Sequence, residues 1–145
     1  MAAIAITAGS VIPSSSAVIK YGVAGETITA GQVLYVEPVT LLLKLCDANS
    51  TAAIATAVGI ATNGASVNQR VYYCTEDTGG FAIGATILSG DTLWTSGTAG
   101  GITKTAADNV NPVYATVLGV MTSTTLAKIK IIGGGLILNL TPPIL

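Results

Sequence analysis

Asp77-Thr78-Gly79 is the tripeptide in this 145-residue chain that matches an acid–base motif. In aspartic proteases an Asp-Thr-Gly carboxylate shares one proton with a second carboxylate, because like charges held close together resist joint ionisation. A homodimer would bring that second copy. The motif ordinarily follows a buried apolar strand, whereas here Thr75 and Glu76 precede it and Gly80 follows it. Glu76 to Gly80 is therefore expected to be an exposed hairpin loop, not a proteolytic centre. The chain has no histidine, so the usual general base is missing. A serine paired with Lys20 or Lys104 is formally available, but no spacing favours it. Neither a G-x-S-x-G elbow nor a G-x-x-x-x-G-K-[ST] phosphate loop is present. No catalytic residue is expected.

The binding chemistries are equally thin. Glu76 and Asp77 would offer a calcium ion too few oxygens. Cys46 and Cys74 form no C-x-x-C motif, and without histidine a zinc site lacks its usual ligands. Both cysteines read as small buried hydrophobes in a chain folded in a reducing cytosol, and whether they pair is left open. Tyr35 and Trp94 each follow a leucine in an apolar run and read as packing residues rather than a sugar platform. No metal and no cofactor are expected.

Composition narrows the partners. Half of the residues are hydrophobic, only 5% are aromatic and 9% are charged, against about 25% charged in an ordinary soluble domain. Six cationic and seven acidic side chains are too few to clothe a monomer's surface. Mean hydropathy is +0.70, yet a membrane-spanning helix needs about 20 consecutive apolar residues. The longest candidates, Leu41 to Leu43 and Leu136 to Leu140, fall far short. An outer-membrane barrel would need aromatic girdles, and there are seven aromatic residues in all. No membrane partner is expected, and no signal peptide, since Met1 to Ile6 lacks a basic stretch. The net charge is −1 and the cations are scattered, which excludes nucleic acid, whose phosphates need clustered cations.

Short runs rich in β-branched and aromatic residues predict strands at Val33–Val36, Val39–Cys46, Val71–Cys74 and Ala127–Ile132. Alternation puts Leu41, Leu43 and Leu45 on one strand face, and Leu136, Leu138 and Leu140 on another. Asn63-Gly64, Asp77 to Gly80, Ser89 to Asp91, Ala99 to Gly101 and Gly133 to Gly135 mark turns, with Asn63-Gly64 suited to a type I′ hairpin. Helix signals are confined to Thr51–Ala57 and Thr105–Val110. The chain thus reads as all-β, a small barrel or sandwich with at most two short helices.

Gly25 to Tyr35 aligns with Gly84 to Trp94 at an offset of 59, and Val58 to Thr62 aligns with Leu118 to Thr122 at an offset of 60. This suggests an internal repeat of about 60 residues, spanning roughly 25–83 and 84–133. Each unit would begin with a strand and turn at Gly31 or Gly90, where a positive φ or a Cβ clash would demand glycine. Residues 1–19 carry Ile4, Ile6, Val11, Ile12 and Pro13, then a serine run. They read as an extended arm with a flexible hinge before the 20–133 domain. Residues 134–145 read as an apolar tail, exposed unless a partner covers Leu136, Leu138, Leu140 and Ile144.

The order Gly25-Glu26-Thr27-Ile28-Thr29-Ala30-Gly31-Gln32-Val33-Leu34-Tyr35, then Val58-Gly59-Ile60-Ala61, then Gly90-Asp91-Thr92-Leu93-Trp94 and Leu118-Gly119-Val120, resembles the small decoration, or cement, proteins of tailed-phage capsids. The resemblance covers roughly residues 20–133. It implies a non-enzymatic virion protein, made in the host bacterial cytoplasm. Such a protein would sit on the outer surface of an icosahedral head as a homotrimer and stabilise it. The partners would be the major capsid protein shell and the chain itself. On this reading the arm residues Ile4, Ile6, Val11, Ile12 and Pro13 would touch the shell, and the tail leucines with Ile144 would join protomers. The competing expectation is another virion or surface module, such as a fibre base, spike or small adhesin.

Overall fold

The computed structural model describes residues 3–51, 53–104, 114–131 and 137–139. After a 3-10 turn at Ala8–Ser10 come β1 (Val11–Ile12), β2 (Val18–Val23), β3 (Val33–Val36), β4 (Leu43–Leu45) and β5 (Gly59–Ala61). They are followed by β6 (Arg70–Ile83), β7 (Thr92–Thr95), β8 (Ile102–Thr103), β9 (Tyr114–Met121), β10 (Leu126–Lys130) and β11 (Ile137–Asn139). The main path of the sheet runs β4-β3-β5-β6-β10-β9-β7-β8, with β1 and β2 added on β6 and β11 on β9. Every pairing between these strands is antiparallel, and the sheet curls into a half-barrel. The all-β expectation stands.

β6 is the spine. It is 14 residues long. Its first half is flanked by β5 and β2 and its second half by β10 and β1. Val71 faces a smaller core with Ala24, Ile28, Leu34, Leu43, Ala61 and Ala65. Cys74, Phe81 and Ile83 face a larger one with Leu93, Ile102, Leu118, Met121 and Ile129. One strand thus closes two hydrophobic clusters, and burial of these side chains is the main force holding the sheet curled.

Several turn assignments are corrected. Glu76 to Gly80 is no hairpin loop: β6 continues past it, pairing Glu76 with Lys130 and Asp77 with Ile129, and Thr78 to Gly80 form a bulge before Phe81 pairs with Ala127. Asp77 is buried, and its carboxylate is satisfied from within the chain, which removes the reason for a polar turn there. The strand foreseen over Val39–Cys46 starts only at Leu43, and Leu41 does not share a strand face with Leu43 and Leu45. No strand lies between Gly25 and Gly31: Ile28 makes only an isolated bridge with Ala65. Asn63 works through its side chain rather than through a tight hairpin, its Oδ1 accepting from Tyr72 N at 2.7 Å and its Nδ2 donating to Gly64 O. Thr51 to Ala57 contains one α-type hydrogen bond, from Ala55 N to Thr51 O. Thr105–Val110 lies outside the described residues.

Gly31 and Gly90 each sit at φ +93°, as their turns require. β3 lies between β4 and β5, and β7 lies between β8 and β9. Tyr35 faces Lys44 as Trp94 faces Thr103, and Leu34 faces Gly59 as Leu93 faces Gly119. These are matches of pairing. Descent from two copies of one unit is a proposal, taken up below.

Candidate docking surface

Val11 is buried in the larger core and pairs with Ile83, and Ile4 and Ile6 pack against the same core. Ile4 N donates to Ile102 O at 2.7 Å, and Thr7 N to Gly84 O at 2.8 Å. The described part of the supposed arm is therefore stitched into its own domain. Its apolar residues are drawn there because packing against the larger core removes them from water. Ile12 alone of the five projects outward, at 60% exposure, with Pro13 half-buried beside it. The serine run is not a free hinge. Ser14 N donates to Asp77 Oδ2 at 2.7 Å, the Ser14 hydroxyl bonds Asp77 Oδ1, and Gly79 N donates to that same oxygen at 2.9 Å. Of the tail residues, Leu138 lies on β11 opposite Ala115. Leu136, Leu140 and Ile144 lie outside the described residues.

The candidate chemical groups are occupied or muted. Both oxygens of Asp77 are taken by donors of the same chain. Cys46 and Cys74 are free thiols, both buried. Burial above all, then the neighbouring Asp47 carboxylate, pushes Cys46 up to about 12. Burial, then Asp77, pushes Cys74 up to about 11. A thiol so shifted carries almost no thiolate at neutral pH and is a poor nucleophile or ligand. Tyr35 is buried and its phenol is raised by desolvation and then by Glu26. Among the described residues no group of three or more metal-ligating side chains occurs, and no helix is long and apolar enough to cross a membrane. An open cleft of about 460 Å³ is lined by Ala5, Thr7, Ser10, Ala82, Gly84, Ala85, Thr86 and Thr125, none of which titrates near neutrality.

What the surface does present is apolar side chains on rigid supports. The β3–β4 connection folds into a tip closed by Glu37 N to Leu42 O and Leu41 N to Glu37 O, both 2.8 Å. The Glu37 carboxylate caps it from inside, accepting from Val39 N at 3.2 Å, from Thr40 N at 2.8 Å and from the Thr40 hydroxyl. The Thr40 hydroxyl bond, followed by the two backbone bonds, holds the Glu37 carboxyl below its ordinary range. Leu41 adopts φ +61°, a left-handed conformation that bulky residues avoid. Such strain costs on the order of 1–3 kcal/mol and clusters where function demands it. Its product is a fixed tip with Val39 87% and Leu41 70% exposed.

A second apolar area lies on β2, whose residues are exposed except for the half-buried Gly22. Tyr21 stacks at a tilt on Tyr72 with ring centroids 5.8 Å apart, and the Arg70 guanidinium lies 4.7 Å from the Tyr21 ring centre.

Neither area was foreseen from the sequence. The tip had one legible signal: Pro38 after Glu37, with Thr40 two residues on, is turn chemistry inside an otherwise strand-like run. β2 had a fair strand pattern, obscured by its position next to the serine run. No protein-family model and no curated protein matches this chain.

Proposed function

We propose that this protein is a structural component of a virion that decorates and stabilises an icosahedral phage capsid, as a homotrimer on the outer shell. The observation that carries the reading is the preformed tip. It holds two large aliphatic side chains in solvent, at a cost in backbone strain, on a chain with thirteen ionic side chains. Rigid apolar anchors lose little entropy on docking, and a low-charge surface favours packing against a like surface. The resemblance to decoration proteins supplies the shell as partner, and the matched strand pairings fit a domain built from two related units of about 60 residues. The raised thiols and the fully bonded Asp77 accord with a non-enzymatic role. On this reading the tip joins Ile12 as the shell-facing set. Residues 1–15 are unsuited to a truncation test because Val11 belongs to the core.

The experiment is re-addition of purified protein to undecorated phage heads, with occupancy read by cryo-electron microscopy. Wild type should approach one copy per major capsid subunit. Val39→Asp with Leu41→Asp should lower occupancy at least tenfold while leaving the unfolding midpoint within a small margin of wild type. Occupancy restricted to a few sites per particle would favour a fibre base or spike instead. Unchanged occupancy of the double variant would remove the tip from the contact.

A further inference from the structure

Asn63 is the one asparagine in the sequence that a glycine follows. Glycine has no Cβ, so its backbone nitrogen can approach the preceding side chain closely. Gly64 is exposed, and its N–H has no hydrogen-bond partner among the described residues. The group it would attack is also in place. The Tyr72 N–H donates to Asn63 Oδ1 at 2.7 Å. That oxygen is where negative charge develops when the carboxamide carbon is attacked, and a fixed donor there stabilises it. The amide nitrogen, Nδ2, donates to Gly64 O at 3.0 Å and to Arg70 O at 3.4 Å, which keeps the carboxamide beside Gly64. We propose that Asn63-Gly64 is a site of spontaneous deamidation through a succinimide, and that its conversion loosens the smaller core.

The reaction needs only water. Gly64 N loses its proton and bonds to Asn63 Cγ. The Cγ–Nδ2 bond breaks, and the nitrogen takes up a proton and leaves as ammonia. Water then opens the imide ring at one of two bonds. Cleavage between Gly64 N and Cγ leaves aspartate. Cleavage between Gly64 N and the Asn63 backbone carbonyl carbon leaves isoaspartate, with the main chain rerouted through Cγ. Either product carries a carboxylate that the neutral chain lacked. In aspartate an oxygen replaces Nδ2 opposite the Gly64 and Arg70 carbonyls, so both attractive contacts become repulsive. In isoaspartate the main chain gains a methylene shortly before Ala65. Ala65 N donates to Ile28 O at 2.9 Å, and Ile28 N donates to Ala65 O at 2.8 Å. These bonds close the smaller core, where Ile28 and Ala65 are both buried.

No shell enters the test, so its result stands apart from the capsid reading. The full-length protein is incubated in mildly alkaline buffer, folded and in urea. Peptide mass spectrometry reads conversion as a gain of about one dalton at each asparagine. In the folded protein Asn63 should convert at least about tenfold faster than Asn49 or Asn68, which precede bulkier residues. Gly64→Ala should slow the reaction at least about tenfold. Its added Cβ would meet only Ile28 O, at 3.6 Å, so the fold is retained. The folded rate should stay within about a hundredfold of the rate in urea, because the donor on Oδ1 offsets the restraint on the side chain. A slower folded rate would mean that the bonds hold Cγ out of reach, and it overturns the proposal. So does a Gly64→Ala rate equal to wild type, or an Asn63 rate equal to that of Asn68. In aged protein, and in Asn63→Asp, amide protection at Ile28 and Ala65 should fall about tenfold, the loss of roughly one hydrogen bond. Unchanged protection in both overturns the link to the smaller core.

Discussion

Asp77 shows how a residue can carry a catalytic signature and serve structure. Its carboxylate lies at zero exposure on the central strand and binds Ser14 twice and Gly79 once. A buried carboxylate without donors would be costly, and buried N–H groups without an acceptor would be costly too. The three bonds solve both problems and fix the segment that leads from β1 to β2. Asp77→Ala strips the acceptor from Ser14 N and Gly79 N. It should lower stability by about 2–4 kcal/mol, read as an earlier urea midpoint, with the largest loss of amide protection at residues 14–17. A midpoint equal to wild type would mean that water replaces the carboxylate without loss. The sequence displayed the Asp-Thr-Gly signature but not Ser14, which is 63 positions away. Long-range pairing of this kind leaves no local periodicity. By contrast, the glycines at positions 31 and 90 were legible, since a positive φ is a local demand that favours one residue type.

At the scale of elements, strands with strong β-branched runs were readable and their ends were not. Val33–Val36 is a strand as expected, because all of it is needed by the core. β6 extends well past Cys74 through glycines and acids that propensity assigns to turns. Pairing with β10 on either side of the bulge at Thr78 to Gly80, and the Ser14 and Gly79 bonds to Asp77, hold it extended there against propensity. The tip between β3 and β4 is the converse case: aliphatic residues that propensity assigns to a strand are bent out by the Glu37 cap. That cap has a pH dependence of known sign. The folded-state pKa of Glu37 is lowered by the Thr40 and Val39 bonds. Its contribution is therefore complete above the ordinary carboxylate range and is lost as pH falls through the depressed value. Protection of the Val39 and Thr40 amides should decline in acid in the wild type. In Glu37→Gln it should be lower at neutral pH and nearly independent of pH across the same window. Parallel acid profiles for the two proteins would assign the rigidity of the tip to Leu41 and the backbone alone.

For the whole molecule, the decisive quantity is how little charge there is to organise an interface. With six cations and seven acids in 145 residues, any partner must be held chiefly by apolar contact and backbone hydrogen bonding. Among the described residues the large exposed hydrophobics fall on several elements: Ile12, the Val39–Leu41 tip, the β2 face, Val67 and Leu88. A monomer alone in water gains nothing from that arrangement, whereas a subunit touching a shell and neighbouring copies at once uses each area separately. Screening then discriminates between mechanisms. Exposed ionic contacts weaken as the Debye length falls from about 10 Å at 0.1 M salt to about 3 Å at 1 M. Apolar burial is not weakened by screening. Binding to undecorated heads should accordingly vary less than about threefold between these salt concentrations, against the steep losses expected where several ion pairs carry the contact. Arg70 gives an internal check, because its guanidinium sits over Tyr21 rather than against a carboxylate. Arg70→Gln should leave the salt profile of shell binding flat. A steep salt-dependent release, abolished by that substitution, would replace apolar docking with an ionic contact centred on β6.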